Sequence, residues 1–243
     1  MSTYFISDLH LDETRPVISR AFFDFLDQKA RGADALYILG DFFEVWVGDD
    51  DDSAYSREVV ARLREFSDSG TPLFFMHGNR DFLVGEQFCR EAGATLLGDP
   101  TVIDLYGKPV LLMHGDSLCT RDTEYMAFRQ QARSPEWQQA LLAQPLEARR
   151  AFARNARQQS KSMNSLKAED IMDVTPSEVV AALERHNAQI MIHGHTHRPD
   201  CHELVANGSP AQRWVLGDWG AYMWWIEASA DGALVQHKAR IES

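Results

Sequence analysis

Thr3-Tyr4-Phe5-Ile6-Ser7-Asp8-Leu9-His10 opens on four residues of strand character and then, within two positions, sets a carboxylate and an imidazole one residue apart. The apolar run lacks polar alternation, as expected of a strand covered on both faces. The same pattern recurs along the chain. Ala35-Leu36-Tyr37-Ile38-Leu39 leads into Gly40-Asp41, and Leu73-Phe74-Phe75-Met76 into Gly78-Asn79-Arg80-Asp81. Val110-Leu111-Leu112-Met113 leads into His114-Gly115-Asp116, and Ile190-Met191-Ile192 into Gly194-His195-Thr196-His197. Between the early runs, residues 20–29, 55–68 and 85–92 space their apolar side chains at helical intervals. Strand and helix thus alternate up to about residue 120, which predicts an α/β layered sheet.

Residues 121–170 break this pattern. They are rich in Arg, Gln, Ala and Met and hold no β-branched run, so two or more helices are expected there. A further helix over 176–185 has Thr175 as candidate N-cap, proline at its first position and Glu178 in its first turn. Strands return at 188–192, 213–216, 223–227 and 233–238. The expected organisation is one domain over 1–243 with a helical insertion, or lid, at 121–170 between two sheet-forming halves. The acidic stretch over 44–52 is read as an exposed loop, since it lacks the spacing of an EF-hand.

Composition narrows the classes. With 243 residues, 44% hydrophobic and 25% charged, the chain is long enough for a substantial core. No apolar run of about 18 residues is present, so no membrane span is expected. The start passes directly into strand without a basic and apolar leader, and three cysteines (Cys89, Cys119, Cys201) show no CxxC pair. Both point to a reducing, cytoplasmic setting. A net charge of -12 argues against non-specific nucleic-acid binding. Residues 121–170 nevertheless hold nine Lys or Arg against six Asp or Glu, which is either a surface for an anionic ligand or a solvated helix face.

The strand exits supply a ligand set for two divalent cations. Asp8 and His10, two apart in an extended segment, point the same way and can grip one ion. Asp41 is the natural bridging carboxylate, Asn79 a neutral oxygen donor, and His114, His195 and His197 complete the two shells. Oxygen and imidazole without thiolate favour Mn, Fe, Mg or Zn. Two metals a few ångströms apart suit phosphoester hydrolysis by an activated water. His77, His193 and Asp116 adjoin these positions and are read as groups that orient ligands.

In these motifs the chain resembles the calcineurin-like metallophosphoesterase superfamily, whose pattern runs D-x-H, G-D, G-N-H-D/E, H and G-H-x-H. The resemblance implies a β-sandwich flanked by helices. One departure carries information: Arg80 stands where the superfamily usually has histidine. A guanidinium cannot serve as a proton donor near neutral pH, but it can clamp a phosphate and offset charge in the transition state. That suits a leaving group needing little protonation, such as a phosphate within a pyrophosphate.

Arg80, the sequences Ser7-Asp8-Leu9-His10-Leu11 and Gly40-Asp41-Phe42-Phe43-Glu44, the helical insertion and residues 219–225 are similar to one branch of the superfamily, which cleaves UDP-2,3-diacylglucosamine in lipid A biosynthesis. That resemblance implies two Mn ions on Asp8, His10, Asp41, Asn79, His114, His195 and His197. It implies catalytic roles for Asp41, Asn79, Arg80 and His195, with water attacking the α-phosphorus to release UMP and 2,3-diacylglucosamine 1-phosphate (lipid X). Substrate contacts are implied at Asn79, Arg80, Asp122, Ser160, Asn164, Lys167 and His195; Ser160, Asn164 and Lys167 are spaced to share one helix face. The implied partners are a lipid-linked UDP-sugar and the anionic cytoplasmic surface of a bacterial inner membrane, with no nucleic acid and no obligate protein partner. A cyclic-nucleotide phosphodiesterase or dinucleotide polyphosphatase would use the same ligands but leaves Arg80 and the insertion unexplained. A metal-free scaffold would be expected to lack some of the ligands.

Overall fold

A computed structural model describes residues 2–164 and 171–242, apart from the side chains of residues 159 and 161–164. Two mixed sheets stack face to face. The first, in the order β11-β10-β1-β2-β3-β4, comprises β1 (Ser2–Ile6), β2 (Ala35–Leu39), β3 (Leu73–Met76), β4 (Ala94–Leu97), β10 (Tyr222–Ser229) and β11 (Leu234–Arg240). The second, in the order β5-β6-β7-β9-β8, comprises β5 (Thr101–Leu105), β6 (Lys108–Leu112), β7 (Ile190–His193), β8 (Asp200–Ala206) and β9 (Ser209–Val215). Strands β1 to β4 run parallel, as do β6, β7 and β9.

Burial on both faces explains the uninterrupted apolar runs. Alternate residues serve different cores: Phe5, Leu39, Met76, Val110, Leu112 and Ile192 fill the space between the sheets. Ile6, Leu36, Ile38 and Phe75 face outward, packing with Phe22 and Phe25 of α1 (Pro16–Phe25), Val59 and Leu63 of α2 (Ala54–Asp68) and Phe88 of α3 (Glu86–Ala92). On the opposite side Leu111 and Met191 pack against Val179 and Leu183 of α7 (Pro176–Arg185). The result is the layered sandwich that the superfamily resemblance implies, with helices on both outer faces.

Several elements differ from expectation. Helix α1 begins at Pro16 rather than near residue 20, because proline at its first position fixes a helical φ, and it continues as a π-helical turn over Leu26–Ala30. Thr175 does not cap α7 through its side chain; its hydroxyl bonds to that of Thr120 at 2.8 Å. Strands β4, β5 and β8 all lie at sheet edges, and β5 and β8 carry mixed polar sequences. The insertion folds as α4 (Thr123–Ala132), α5 (Pro135–Leu142) and α6 (Leu146–Asn164) between β6 and α7.

The acidic stretch is not simply an exposed loop. Asp49 accepts hydrogen bonds from Trp46 Nε1, Gly85 N and Phe88 N and so caps α3 from a distance. Asp50 pairs with Arg149, a side chain only 3% exposed whose Nη1 also donates to Val47 O at 2.6 Å. Arg150 reaches Asp51 and Asp52. These acids therefore anchor the N-terminal half of α6.

Candidate metal centre and adjoining cleft

The exits of β1, β2, β3, β6 and β7 converge at one end of the sandwich. Main-chain bonds stitch them together: Asp8 N–H donates to Gly40 O at 3.1 Å, His10 N–H to Asp41 O at 3.0 Å, and Gly194 N–H to His114 O at 2.9 Å. Such close approach excludes side chains at two positions. A Cβ on Gly78 would lie 2.1 Å from Asp41 N, and one on Gly40, at φ +86°, would lie 2.6 Å from Gly78 N. Asp8, His10, Asp41, His195 and His197 all have φ between 49° and 68°. Among the described residues, the other non-glycine residues in this left-handed region are Tyr106, Asn187 and Asn207. Tyr106 and Asn207 precede glycines in hairpin turns, whereas the five site residues occupy strand exits, where strain persists only if the surroundings fix it.

The side chains form two adjoining triads. Asp8, His10 and His197 each present a donor atom within 4.8 Å of the others, as do Asp41, His114 and His195. In the first, His10 Nε2 and His197 Nε2 face each other at 3.3 Å, and His197 Nε2 lies 3.3 Å from Asp8 Oδ1, which is buried without an aligned hydrogen-bond partner. Two imidazole nitrogens converging on a buried carboxylate oxygen form an arrangement that a divalent cation satisfies. In the second triad, Asn79 Oδ1 lies 3.0 Å from His114 Nε2 and 2.9 Å from His195 Nδ1. His114 Nδ1 is 2.9 Å from Leu39 O, which can only accept, so Nδ1 carries the proton and Nε2 is the nitrogen turned toward the other ligands. The donor set fits a pair of metal ions.

The electrostatics agree with a site built for cations. Burial would raise the Asp8 carboxyl, but His197, His114 and His10 hold it far below the ordinary carboxylate range. Burial would lower His114, yet Asp41, Asp116 and Asp8 push it up to about 9. His195, buried and beside His114, falls to about 4 despite opposition from Asp116, Asp41 and Asp8.

Two groups without an assigned role in the sequence reading complete the frame. Asp81 accepts from Gly78 N at 2.7 Å and Phe42 N at 2.8 Å, locking the loops after β2 and β3; burial and neighbouring Asp41 raise it to about 6. Glu44 places Oε2 3.3 Å from His10 Nδ1, pairs with Arg157 and lies 3.7 Å from Arg80. Of the three groups read as orienters, Asp116 is the best supported. It accepts from Tyr125 Oη at 2.6 Å and Arg129 Nε at 2.8 Å, while the Tyr125 ring sits 5.7 Å from that of His195. His77 instead faces Val84 O, and His193 contacts Gly194 O and Arg213.

A mostly apolar cleft of about 250 Å³ opens beside Asn79 and Arg80. Its floor includes Trp46, Val47 and Leu83; its roof is one face of α6, where Phe152, Ala153, Ala156, Arg157 and Ser160 recur at helical spacing. Phe128 of α4 adds to the wall. Arg80 stands at the boundary between cleft and triads: Nε is 3.6 Å from Asp41, and both Nε and Nη1 are buried without a hydrogen-bond partner. Ser160 lines the cleft from α6. Asp122 caps α4, accepting from Tyr125 N at 3.1 Å. Asn164 ends α6, and its side chain, like Lys167 as a whole, lies outside the described residues.

The basic excess of the insertion is largely turned inward. Arg129, Arg133, Arg149, Arg150 and Arg157 all face the protein's own acids. Among the described residues no helix is long and apolar enough to cross a membrane.

Comparison with known proteins adds to the geometry. A protein of Marinobacter nauticus named UDP-2,3-diacylglucosamine hydrolase is 61% identical over 229 residues, covering 94% of each chain. One of the same name from Cellvibrio japonicus is 56% identical and covers 98% of this chain and 99% of its own. A solved archaeal phosphodiesterase superposes with a TM-score of 0.50 over 98% of this chain and 100% of that one, at 13% identity, a likeness of fold. Residues 1–199 match the calcineurin-like phosphoesterase family. The chain, with its paired ligand triads at the strand exits of a two-sheet sandwich, belongs to the calcineurin-like phosphoesterases.

Proposed function

We propose that this chain hydrolyses the pyrophosphate of UDP-2,3-diacylglucosamine, with water attacking the α-phosphorus to release UMP and 2,3-diacylglucosamine 1-phosphate, a step of lipid A biosynthesis. The observation that carries the reading is the junction of two unlike environments. A ligand pair suited to phosphate chemistry meets an apolar cleft, and the part-buried guanidinium of Arg80, with Nε and Nη1 free of hydrogen bonds, lies at their boundary. Relatives of that name at 56–61% identity over almost the whole chain support the same substrate.

In this reading Asp8, His10 and His197 would hold one Mn ion, and Asn79, His114 and His195 the other, with Asp41 the carboxylate available to both. A bound pair of that kind supplies a water of lowered pKa and stabilises charge on phosphoryl oxygens. Arg80 clamps the phosphate whose charge grows, filling the donors left unpaired at Nε and Nη1. Because the leaving group is a phosphate monoester with a second pKa of about 6, no imidazole acid is needed at this position. Asn79 and His195 meet the substrate beside the metals, while Asp122, Ser160, Asn164 and Lys167 hold its sugar phosphate. The cleft residues accommodate acyl chains, and the insertion over 121–170 acts as a lid.

A diacylated substrate resides in a bilayer, so the enzyme works on the cytoplasmic face of the inner membrane as a peripheral protein. It needs no nucleic acid and no obligate protein partner. The test compares Mn-loaded protein on UDP-2,3-diacylglucosamine, a cyclic dinucleotide and a dinucleotide polyphosphate. Preference for the acylated UDP-sugar, lost in excess chelator, is expected; turnover confined to either of the other substrates would reverse the assignment.

A further inference from the structure

Glu44 touches three parts of the molecule that the chemistry treats separately. Its backbone is fixed, the N–H donating to Leu11 O at 3.0 Å beside a parallel bridge between Leu11 and Phe43. From this anchored position Oε2 comes within 3.3 Å of His10 Nδ1 in the first triad. Oε1 faces Arg80 Nη1 at 3.7 Å and pairs with Arg157 of α6. His10 Nδ1 is buried and has no aligned hydrogen-bond partner, so the Glu44 carboxylate is the negative charge positioned to act on that nitrogen.

Resting on the two-metal reading, we infer that Glu44 is a positioning residue that joins the Asp8–His10–His197 triad to the roof of the cleft. Its first effect is on the metal side. A carboxylate at the far nitrogen of a ligating imidazole keeps the proton on that nitrogen, leaves the other lone pair for the metal, and raises ligand basicity. His10 Nε2 is already the nitrogen that faces His197, so the carboxylate and the triad occupy opposite edges of the same ring. The second effect is on the substrate side. By pairing with Arg157, the same carboxylate holds the α6 face carrying Phe152, Ala156 and Ser160 above the cleft. Lid position and metal affinity at one triad thereby depend on a single side chain, whose link to the Asp41–His114–His195 triad runs through Arg80.

The experiment titrates chelator-stripped, full-length protein with Mn²⁺ by calorimetry, comparing wild type, E44Q, E44D and R157Q, with melting temperatures and steady-state kinetics on the same preparations. E44Q is expected to weaken one Mn site by roughly 10- to 100-fold and leave the other within about twofold. E44D, which retracts the charge by one methylene, loses less at that same site. R157Q binds Mn as wild type does but raises KM for the acylated substrate, with kcat less affected. Wild-type Mn affinity in both Glu44 variants, or equal loss at both sites, would overturn the inference; if E44Q does not fold, E44D decides by the same criterion. Protein that binds two Mn ions and loses one selectively in E44Q, yet spares the UDP-lipid, would refute the substrate assignment and leave the role of Glu44 standing.

Discussion

The strand exits and the helical insertion are held in place by different forces. At the exits, main-chain N–H groups bond from loop to loop, Trp219 N–H to the Asp8 carbonyl at 3.0 Å and His195 N–H to the Asp8 carboxylate (Oδ2) at 2.9 Å, among others. Asp8 and His114 are fully buried, and Asp8, His10, Asp41, His195 and His197 occupy strained backbone that only a rigid frame maintains. The insertion is attached by long charged side chains. Helix α5 buries no residue and α4 buries only Ala132, while Arg129, Arg149, Arg150 and Arg157 reach carboxylates elsewhere. In the function proposed above, chemistry falls to the part with little freedom to move, and recognition to the softer part, where electrostatic attachment would allow adjustment to a flexible lipid.

The largest expected effect tests the rigid half. Asp41→Asn or His195→Ala should lower turnover by roughly 1000-fold or more while leaving circular dichroism and melting temperature near wild type, because each removes a ligand from a frame built mainly of backbone bonds. Retained turnover in either variant would mean that the triads are structural.

Arg80→Ala probes the boundary between the halves. Its loss should cost about 100- to 1000-fold in kcat on every pyrophosphate tested, as for a missing charge-stabilising donor. A deficit confined to the lipid substrate would move Arg80 from chemistry to recognition.

On the softer half, Phe128→Ala and Phe152→Ala each remove a half-exposed ring from the cleft. About 1.5 kcal/mol of lost burial corresponds to roughly tenfold in KM for the acylated substrate, with kcat on a small artificial diester unchanged. Equal losses on both substrates would erase the division between the two regions.

The smallest effects separate buried from exposed anchoring. Arg149→Ala leaves the buried carbonyl of Val47 without its donor and should cost about 1–3 kcal/mol of stability in thermal melts. Arg150→Ala removes pairs to Asp51 and the 80%-exposed Asp52 and should cost under about 1 kcal/mol, shrinking further in high salt. The reverse order would contradict the assigned role of Arg149 as the main anchor of α6.

Legibility in the sequence follows the same division. Burial on both faces left β1, β2, β3, β6 and β7 as unbroken apolar runs, and each ended on a polar residue that a turn alone does not require. Those signals are local, so the candidate ligands could be read one segment at a time. Edge strands β5 and β8 had no such mark; Asn207-Gly208, at φ 51° and 70°, forms the hairpin turn between β8 and β9. The partners of the acidic stretch were hidden for a different reason. Arg149 and Arg150 lie 99 residues from Asp50 and Asp51, and nothing in spacing connects them. Glu44 was visible beside Asp41, but its contacts to His10 and Arg157 exist only in three dimensions.

The central claim is hydrolysis at the phosphorus nearest uridine, carried out by residues at the strand exits. Turnover of UDP-2,3-diacylglucosamine by the Mn-loaded protein in ¹⁸O-water, followed by mass spectrometry of both products, tests it most directly. Attack at the α-phosphorus places one labelled oxygen in UMP and none in the acylated sugar phosphate. Label in the sugar phosphate, or no cleavage with two metals bound, would contradict it.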